Sequence, residues 1–295
     1  MSALSIFSPA KLNLFLAVIG RRADGFHDLV SVVAPVEFGD TLRIEAGASG
    51  EFGLECDDAT VPTGEENLVL RAARLFAEKT GWGGGAKFFL EKRIPMGAGL
   101  GGGSSNAVAA LRGLNSLAGE PLGGAELAAV AARLGSDCAL FLPGGPVVMR
   151  GRGERVDLLA AETVARLGGQ RVLIFKPGFS ISTPWAYGQL AADGEKNYLP
   201  AAEAEARLAA WLGDAKVPAE TLLFNSFERP AFWKFPALPV LLDALAKEFG
   251  LAARMSGSGS ACFALLPAGA AVEAVKSRIR EAWGAAAWVV ETRIS

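Results

Sequence analysis

The chain has 295 residues, of which 51% are hydrophobic and 20% are charged, a composition typical of a globular protein with a sizeable core. At about 150 residues per domain, this length predicts two domains. The net charge is −2 and the Lys and Arg residues are scattered, which argues against a nucleic-acid partner. The sequence lacks a secretory signal pattern and a run of about 18 apolar residues, so we expect a cytoplasmic protein without a membrane partner.

The cysteine and histidine residues limit which metal sites, disulfides and catalytic groups the chain can form. Cys56, Cys138 and Cys262 lie far apart in the sequence, which argues against both a disulfide framework and a CxxC metal site. His27 is the single histidine, so a metal site or catalytic triad that needs two imidazoles is excluded. Carboxylates, lysines, hydroxyls and the backbone remain as functional groups, and the sequence identifies no dedicated metal ligand.

The first half of the chain predicts strands followed by helices. Alternating polar and apolar residues indicate strands at residues 11–19, 42–46 and 86–94. Apolar residues at helical spacing indicate helices at residues 66–81, 107–118 and 125–134, the last ending at Gly135. A glycine-rich stretch therefore lies between a strand and the N-terminus of a helix.

The second half of the chain alternates again between strands and helices. Residues 171–178 and 287–294 are predicted strands, residues 201–213, 237–250 and 271–284 are predicted helices, and residues 252–266 form a predicted strand, Gly/Ser turn and strand. The region from 143 to 169, with "PGGP" and "GRGE", is the expected domain boundary. We therefore predict an α+β protein with an N-terminal domain at 1–160 and a C-terminal domain at 161–295.

The most informative motif is "PMGAGLGGGSSNAVAAL" at residues 95–111, which has five glycines within residues 97–103. A glycine loop between a strand and a helix is typical of phosphate binding, because bare backbone approaches an anion closely and the helix N-terminus attracts its charge. Ser104 and Ser105 follow, and their hydroxyls could cap the helix or reach phosphate or Mg²⁺.

Three other interpretations of the glycine stretch are less consistent with the sequence. Gly97, Gly99 and Gly102 fit G-x-G-x-x-G, but the acidic residue expected about 20 positions later falls in a predicted turn, at Glu120. A Walker A loop would have lysine where this chain has Gly103. A purely structural turn is disfavoured because five glycines cost much conformational entropy. The phosphate charge must therefore be met by a metal or a distant cation.

Three stretches together resemble the GHMP kinases, named for galactokinase, homoserine kinase, mevalonate kinase and phosphomevalonate kinase. They are the glycine stretch, "SPAKLNLFL" at 8–16 and "SGSGSACFAL" at 256–265, and the resemblance extends over essentially the whole chain in order. It implies an N-terminal domain like ribosomal protein S5 domain 2 and a ferredoxin-like C-terminal domain.

The resemblance also implies a function. "PAKLNLFL" followed by "GRRADGFHDL" at 20–29 is similar to the branch of the family that acts in non-mevalonate isoprenoid synthesis. Members of that branch use ATP to phosphorylate the 2-hydroxyl of a methylerythritol linked to cytidine diphosphate. The implied partners are this small-molecule substrate, ATP and Mg²⁺, and the expected oligomeric state is a monomer or weak homodimer.

The family motifs assign roles to individual residues. Asp137, in "LGSDCALFL", occupies the place of the catalytic aspartate, although the sequence alone also allows a helix-capping role. Lys11 matches the family's functional lysine, although an exposed strand lysine is the simpler interpretation of its pattern. The nucleotide phosphates are expected on the whole loop: Pro95, Met96, Gly97, Ala98, Gly99, Leu100, Gly101, Gly102, Gly103, Ser104 and Ser105.

The remaining assignments concern the acceptor substrate. Phe26 and His27 match the aromatic and histidine pair of the family's cytidine site, which we expect in a cleft between the domains. The further substrate-binding candidates are Asn13, Tyr187, Gly257 and Gly259. The two glycines lie in the stretch that, by the family resemblance, forms a loop beside the phosphates at the mouth of the site. "FNSFE" at 224–228 departs from the family's F-N-D-L-E at Ser226 and Phe227, which leaves the role of this segment open.

Two alternative functions remain open from the sequence. Another GHMP kinase, acting on a small alcohol without a nucleobase, would share the loop, Lys11 and Asp137 but would not need Phe26 and His27. A non-catalytic nucleotide-binding module would bind ATP without needing Asp137.

Overall fold

The computed structural model describes residues 3–192 and 194–295. The chain divides into two compact units. The first unit contains the residues up to Lys11, together with Phe38–Met96 and Gly101–Gly144. The second contains Leu12–Glu37, Gly97–Leu100 and Gly145–Ser295. The domain boundary between residues 160 and 161 stays a prediction.

Two long strands, β1 (Ala3–Arg21) and β2 (His27–Gly47), contribute residues to both units. The other elements of the first unit are β3 (Phe52–Cys56), α1 (Leu68–Thr80), β4 (Gly85–Glu91), α2 (Gly102–Leu117) and α3 (Gly124–Leu134), with a short 3₁₀ turn at Ala139–Phe141. The predicted strands and helices of this region are therefore confirmed. The second predicted helix begins earlier than its apolar pattern indicated, because the glycines from Gly102 onward adopt helical geometry.

In the first unit, β4 lies between β2 and β3. It pairs antiparallel with β2, from Thr41 opposite Glu91 to Gly47 opposite Gly85, and parallel with β3. Helices α1, α2 and α3 pack together. A Cβ atom at Gly113 of α2 would overlap the side chain of Ile44, so the glycine allows close packing there. Asn67 begins α1 by accepting a 2.9 Å hydrogen bond from the backbone N–H of Val69.

The second unit contains most of the remaining elements. They are β5 (Val147–Gly151), β6 (Arg155–Leu158), α4 (Ala161–Leu167), β7 (Arg171–Lys176), α5 (Thr183–Ala192), α6 (Ala201–Gly213), β8 (Phe224–Asn225), α7 (Glu228–Lys234), α8 (Ala237–Phe249), β9 (Ala253–Met255), β10 (Cys262–Leu265), α9 (Val272–Trp283) and β11 (Trp288–Arg293). No helix in the described parts of the chain is both long and apolar enough to cross a membrane.

The C-terminal strands of the second unit form an antiparallel sheet in the order β11-β7-β10-β9. The chain enters on β7, passes through helices to the β9–β10 hairpin, and returns through α9 to β11. This β-α-β-β-α-β order is the ferredoxin-like arrangement that the family resemblance implies. Separately, β8 pairs parallel with β1, with Phe15 opposite Phe224 and Leu16 opposite Asn225.

Candidate functional site

The glycine loop adopts a conformation that side chains would prevent. Gly97, Gly99 and Gly101 have φ angles of +61°, +77° and +72°, a region that L-residues rarely adopt. A Cβ atom at Gly101 would lie 3.0 Å from Cγ of Lys11, and one at Gly99 would overlap the carbonyl oxygen of Ser256. Bare backbone is therefore a geometric requirement at these positions.

Helix α2 begins directly at the end of this loop. Gly101 is its N-cap residue, and the carbonyl of Gly101 accepts a 2.9 Å hydrogen bond from the backbone N–H of Ser105. No side chain within the described ranges caps this helix, and its first turn contains no acidic residue. The N–H groups of the first turn and the positive end of the helix dipole are thus available to an anion.

Lys11 and Asp137 form an ion pair beside the loop in the first unit. Nζ of Lys11 lies 3.6 Å from Oδ2 of Asp137, and the exposed fractions of the two side chains are 4% and 43%. Asp137 lies in the turn after α3, while the lysine stem lies against Gly101. A buried cation thus holds a carboxylate that still faces solvent, and the structure brings together three residues that the sequence analysis selected.

The two serines of the loop differ in their surroundings. Ser105 is buried, and its hydroxyl accepts a 2.8 Å hydrogen bond from the hydroxyl of Ser8. Ser104 is only half-buried and hydrogen-bonds the thiol of Cys138. Burial raises the pKa of the Cys138 thiol to about 11, so this cysteine is neutral near pH 7. Of the two hydroxyls, that of Ser104 is the more accessible to a ligand.

A fully buried carboxylate that the sequence analysis missed supports the loop. Oδ1 of Asp40 accepts hydrogen bonds from the backbone N–H groups of Arg93 (2.7 Å) and Ile94 (2.8 Å), just before the loop. Its Oδ2 accepts a 2.9 Å bond from Nδ2 of Asn106, in α2, and pairs with the ammonium of Lys92. Asp40 thus joins the chain entering the loop to the helix leaving it.

The aromatic and histidine candidates lie in the second unit. The ring centroid of His27 is 4.9 Å from that of Tyr187 and 5.9 Å from that of Tyr198. Phe26 is 50% exposed, and the guanidinium carbon of Arg152 lies 5.0 Å from its ring centroid. The structure therefore brings His27 and Tyr187 together, and the half-exposed ring of Phe26 directly precedes His27 in the sequence.

His27 has a buried nitrogen that accepts or donates no hydrogen bond among the described residues. Its Nε2 is buried and has no hydrogen-bond partner within residues 3–192 and 194–295. Burial, with a smaller contribution from the charge of Arg21, lowers the pKa of His27 below its ordinary value of 6.5. The imidazole is therefore neutral at pH 7, and an unpaired buried polar atom of this kind is suited to a ligand's hydrogen bond.

Asn13 and the Gly/Ser turn, residues 256–260, also belong to the second unit. The Asn13 side chain is buried and donates a 3.0 Å hydrogen bond to Ser31, and its backbone N–H lies 3.4 Å from Oγ of Ser256. Gly257 and Gly259 have φ angles of +57° and +87°, and both are buried. These two glycines therefore act through the backbone of a tight turn.

Family models match both halves of the chain. The model of the GHMP kinases N terminal domain matches residues 67–147, and that of the GHMP kinases C terminal region matches residues 205–285. The chain is 38% identical to the 4-diphosphocytidyl-2-C-methyl-D-erythritol kinase of Prochlorococcus marinus (strain MIT 9313), over 96% of this chain and 90% of that protein. This chain belongs to the GHMP kinase family.

Other relatives of this GHMP kinase carry the same enzyme name. The protein of the same name from Synechococcus sp. (strain CC9902) is 40% identical, over 89% of this chain and 87% of its own. A crystal structure of 4-(cytidine 5'-diphospho)-2C-methyl-D-erythritol kinase superposes with a TM-score of 0.77 and 37% identity, over 99% of this chain and the whole of the other. The family, the branch and the two-domain fold predicted from sequence are confirmed, and the protein is an ATP-dependent small-molecule kinase.

The segment that departs from the family pattern contains a partly buried acid, Glu228, whose side chain is 16% exposed. Oε1 of Glu228 accepts a 2.8 Å hydrogen bond from the backbone N–H of Met255, and Oε2 lies 3.9 Å from Nε of Arg254. Burial raises the pKa of Glu228 to about 7 despite both contacts. Glu228 therefore titrates closer to neutral pH than an ordinary glutamate does.

Glu228 makes folding stability depend on pH. Because its pKa rises from 4.5 to about 7 on folding, its contribution is complete below about pH 4.5 and is lost as the pH rises through about 7. We expect Glu228→Gln to flatten this dependence, by up to about 3 kcal/mol between pH 4.5 and 7.5. The free energy of unfolding, measured by urea denaturation at several pH values, gives this dependence. The exposed Glu220→Gln serves as control, and a Glu228→Gln protein that keeps the wild-type slope would contradict the assignment.

Proposed function

We propose that this kinase transfers the γ-phosphoryl group of ATP to the 2-hydroxyl of 4-diphosphocytidyl-2-C-methyl-D-erythritol, a step in non-mevalonate isoprenoid precursor synthesis. The observation that carries the proposal is the Lys11–Asp137 pair, packed against Gly101 of an uncapped glycine loop. The names of the full-length relatives support the choice of acceptor.

The glycine loop, residues 95–105, binds the ATP phosphates. Its left-handed glycines carry no Cβ that would shield their backbone N–H groups, and the first turn of α2 adds N–H groups that no side chain of the described residues caps. Side chains of the loop contribute little charge, since residues 95–105 include no Lys or Arg. Backbone dipoles and groups outside the loop therefore balance the phosphate charge.

Asp137 acts as the general base. Its partly exposed carboxylate can accept the proton of the acceptor hydroxyl while that oxygen attacks the phosphoryl group in line. Lys11, which is buried and 3.6 Å away, keeps the carboxylate oriented and offers positive charge to the developing oxyanion. The pair therefore supplies proton acceptance and electrostatic stabilisation from one place.

Mg²⁺ fits this site as a nucleotide-bound ion. No cluster of three or more His, Cys, Asp or Glu side chains able to hold a metal occurs in the described part of the chain. The half-buried hydroxyl of Ser104, in the first turn of α2, is the protein group that would hold it. Bound in this way, Mg²⁺ supplies neutralisation of phosphate charge.

Phe26 and His27 recognise the cytosine of the acceptor. The exposed face of Phe26 can stack on the base, and the neutral His27 has a buried nitrogen that needs a hydrogen-bond partner. Tyr187 packs against the imidazole and fixes its orientation. Asn13, Gly257 and Gly259 stay candidate substrate contacts, and the cytoplasmic location and the monomer or weak homodimer stay predictions.

Asp137→Asn tests the catalytic proposal. The amide cannot accept the hydroxyl proton, so we expect kcat to fall by about 10²- to 10⁴-fold. The measurement is a coupled ADP-release assay with ATP, Mg²⁺ and 4-diphosphocytidyl-2-C-methyl-D-erythritol. Asp243→Asn, an exposed carboxylate on α8, is the matched control and should retain wild-type turnover. An Asp137→Asn enzyme with normal kcat would exclude the base, and a wild type active only on other alcohols would exclude the acceptor.

Phe26→Ala and His27→Ala test the base-recognition proposal. Loss of base stacking typically costs ~1–3 kcal/mol, so we expect KM for the acceptor to rise about 10-fold or more while KM for ATP stays constant. The same assay, with each substrate varied in turn, measures this. Phe7→Ala removes an equally exposed ring, 51% against 50%, and should leave both KM values unchanged. Unchanged acceptor KM in both site variants would favour a GHMP kinase whose acceptor has no nucleobase.

A further inference from the structure

We infer that Asn225 is a positioning residue that holds the Gly/Ser turn against the glycine loop and thereby sets the affinity for the nucleotide. The inference rests on the proposed function only in assigning the loop to the ATP phosphates. It gives a role to the "FNSFE" segment, whose departure from the family pattern left that role open in the sequence.

The amide of Asn225 spans the start of the Gly/Ser turn. Its Nδ2 donates to the carbonyl oxygens of Met255, at 2.6 Å, and Gly257, at 2.9 Å. Its Oδ1 accepts a 2.9 Å hydrogen bond from the backbone N–H of Phe227. The side chain is buried, with an exposed fraction of 4%. One amide thus fixes the carbonyl that precedes the turn and one carbonyl within it relative to the segment of Asn225.

The segment that contains Asn225 is itself fixed to strand β1. Asn225 lies opposite Leu16 in the parallel β1–β8 pair, and the backbone N–H of Ser226 donates to the Leu16 carbonyl at 2.9 Å. The hydroxyl of Ser226 accepts a 3.0 Å hydrogen bond from the backbone N–H of Val18. Ser226, where the family has aspartate, therefore still provides an oxygen acceptor for this strand.

The Gly/Ser turn also contacts the glycine loop. The hydroxyl of Ser256 donates to the carbonyl of Gly99 at 3.2 Å, and the backbone N–H of Ala261 donates to the carbonyl of Ala98 at 3.0 Å. Gly99 has no room to move toward the turn, because even a Cβ there would overlap the Ser256 carbonyl. A displacement of the turn is therefore transmitted to residues 98 and 99, inside the phosphate-binding stretch.

A carboxamide supplies the two donors and one acceptor that this position requires. Two carbonyl acceptors and one N–H donor surround the side chain, and an amide offers two N–H hydrogens and one carbonyl oxygen. A carboxylate of the same shape would keep the acceptor but face two carbonyl oxygens with negative charge. Asn225→Asp therefore removes the positioning function while changing the volume very little.

Calorimetric titration with ADP and Mg²⁺ tests the inference without the acceptor substrate. We expect Asn225→Asp to raise the Kd for ADP about 10-fold or more, with a parallel rise in KM for ATP. The matched control is Asn115→Asp. Asn115 is also buried; its amide donates to the Leu122 carbonyl and accepts from the Leu122 backbone N–H, both at 3.0 Å. We expect the Asn115→Asp variant to keep wild-type ADP affinity.

An ADP affinity within twofold of wild type in Asn225→Asp would overturn the inference, as would an equal loss in Asn115→Asp. If Asn225→Asp does not fold, Asn225→Ser removes the amide without adding charge and is judged by the same criterion. A wild-type protein that binds ADP but does not phosphorylate 4-diphosphocytidyl-2-C-methyl-D-erythritol rejects the proposed function, while the ADP titration still decides the role of Asn225.

Discussion

The bare backbone of residues 97–103 is the constraint on which the rest of the site depends. Gly101 is left-handed and packed against the Lys11 stem, so the loop cannot carry a side chain there, and none of its residues is charged. In the proposed site, positive charge is available from the α2 N-terminus and from Lys11, whose buried ammonium also pairs with Asp137. The same geometric requirement thus links the proposed phosphate-binding loop to the proposed catalytic pair.

A loop rich in glycine needs external support, because glycine has little intrinsic conformational preference. In the first unit, buried Asp40 ties the chain before the loop to α2 after it. In the second unit, the Gly/Ser turn binds residues 98 and 99, and Asn225 holds that turn. These polar groups are buried and hydrogen-bonded, so they add specificity without leaving unpaired atoms in the core.

The elements with strong periodicity and the motif positions could be predicted from the sequence. Helix α1, for example, has apolar residues at helical spacing and a terminal Gly81, all of which are local signals. The role of Asp40 could not be predicted, because its partners Arg93 and Ile94 are 53 and 54 residues away. Short strands such as β8, with two residues, exist only through pairing with a distant strand. The contact between His27 and Tyr187 likewise depends on tertiary packing.

The most direct test of this account is ADP binding to Gly101→Ala, measured by calorimetry beside Gly250→Ala. The two glycines have nearly the same backbone geometry, φ +72° and ψ 15° against φ +67° and ψ 20°, so the backbone strain of the substitution is matched. Only the Cβ at position 101 would also press on Lys11 and Phe141, each 3.0 Å away, and so intrude on the loop. The account predicts at least about a tenfold loss of affinity, which is about 1.4 kcal/mol, in Gly101→Ala alone. Equal ADP affinity in the two variants would contradict the claim that the bare loop binds the phosphates.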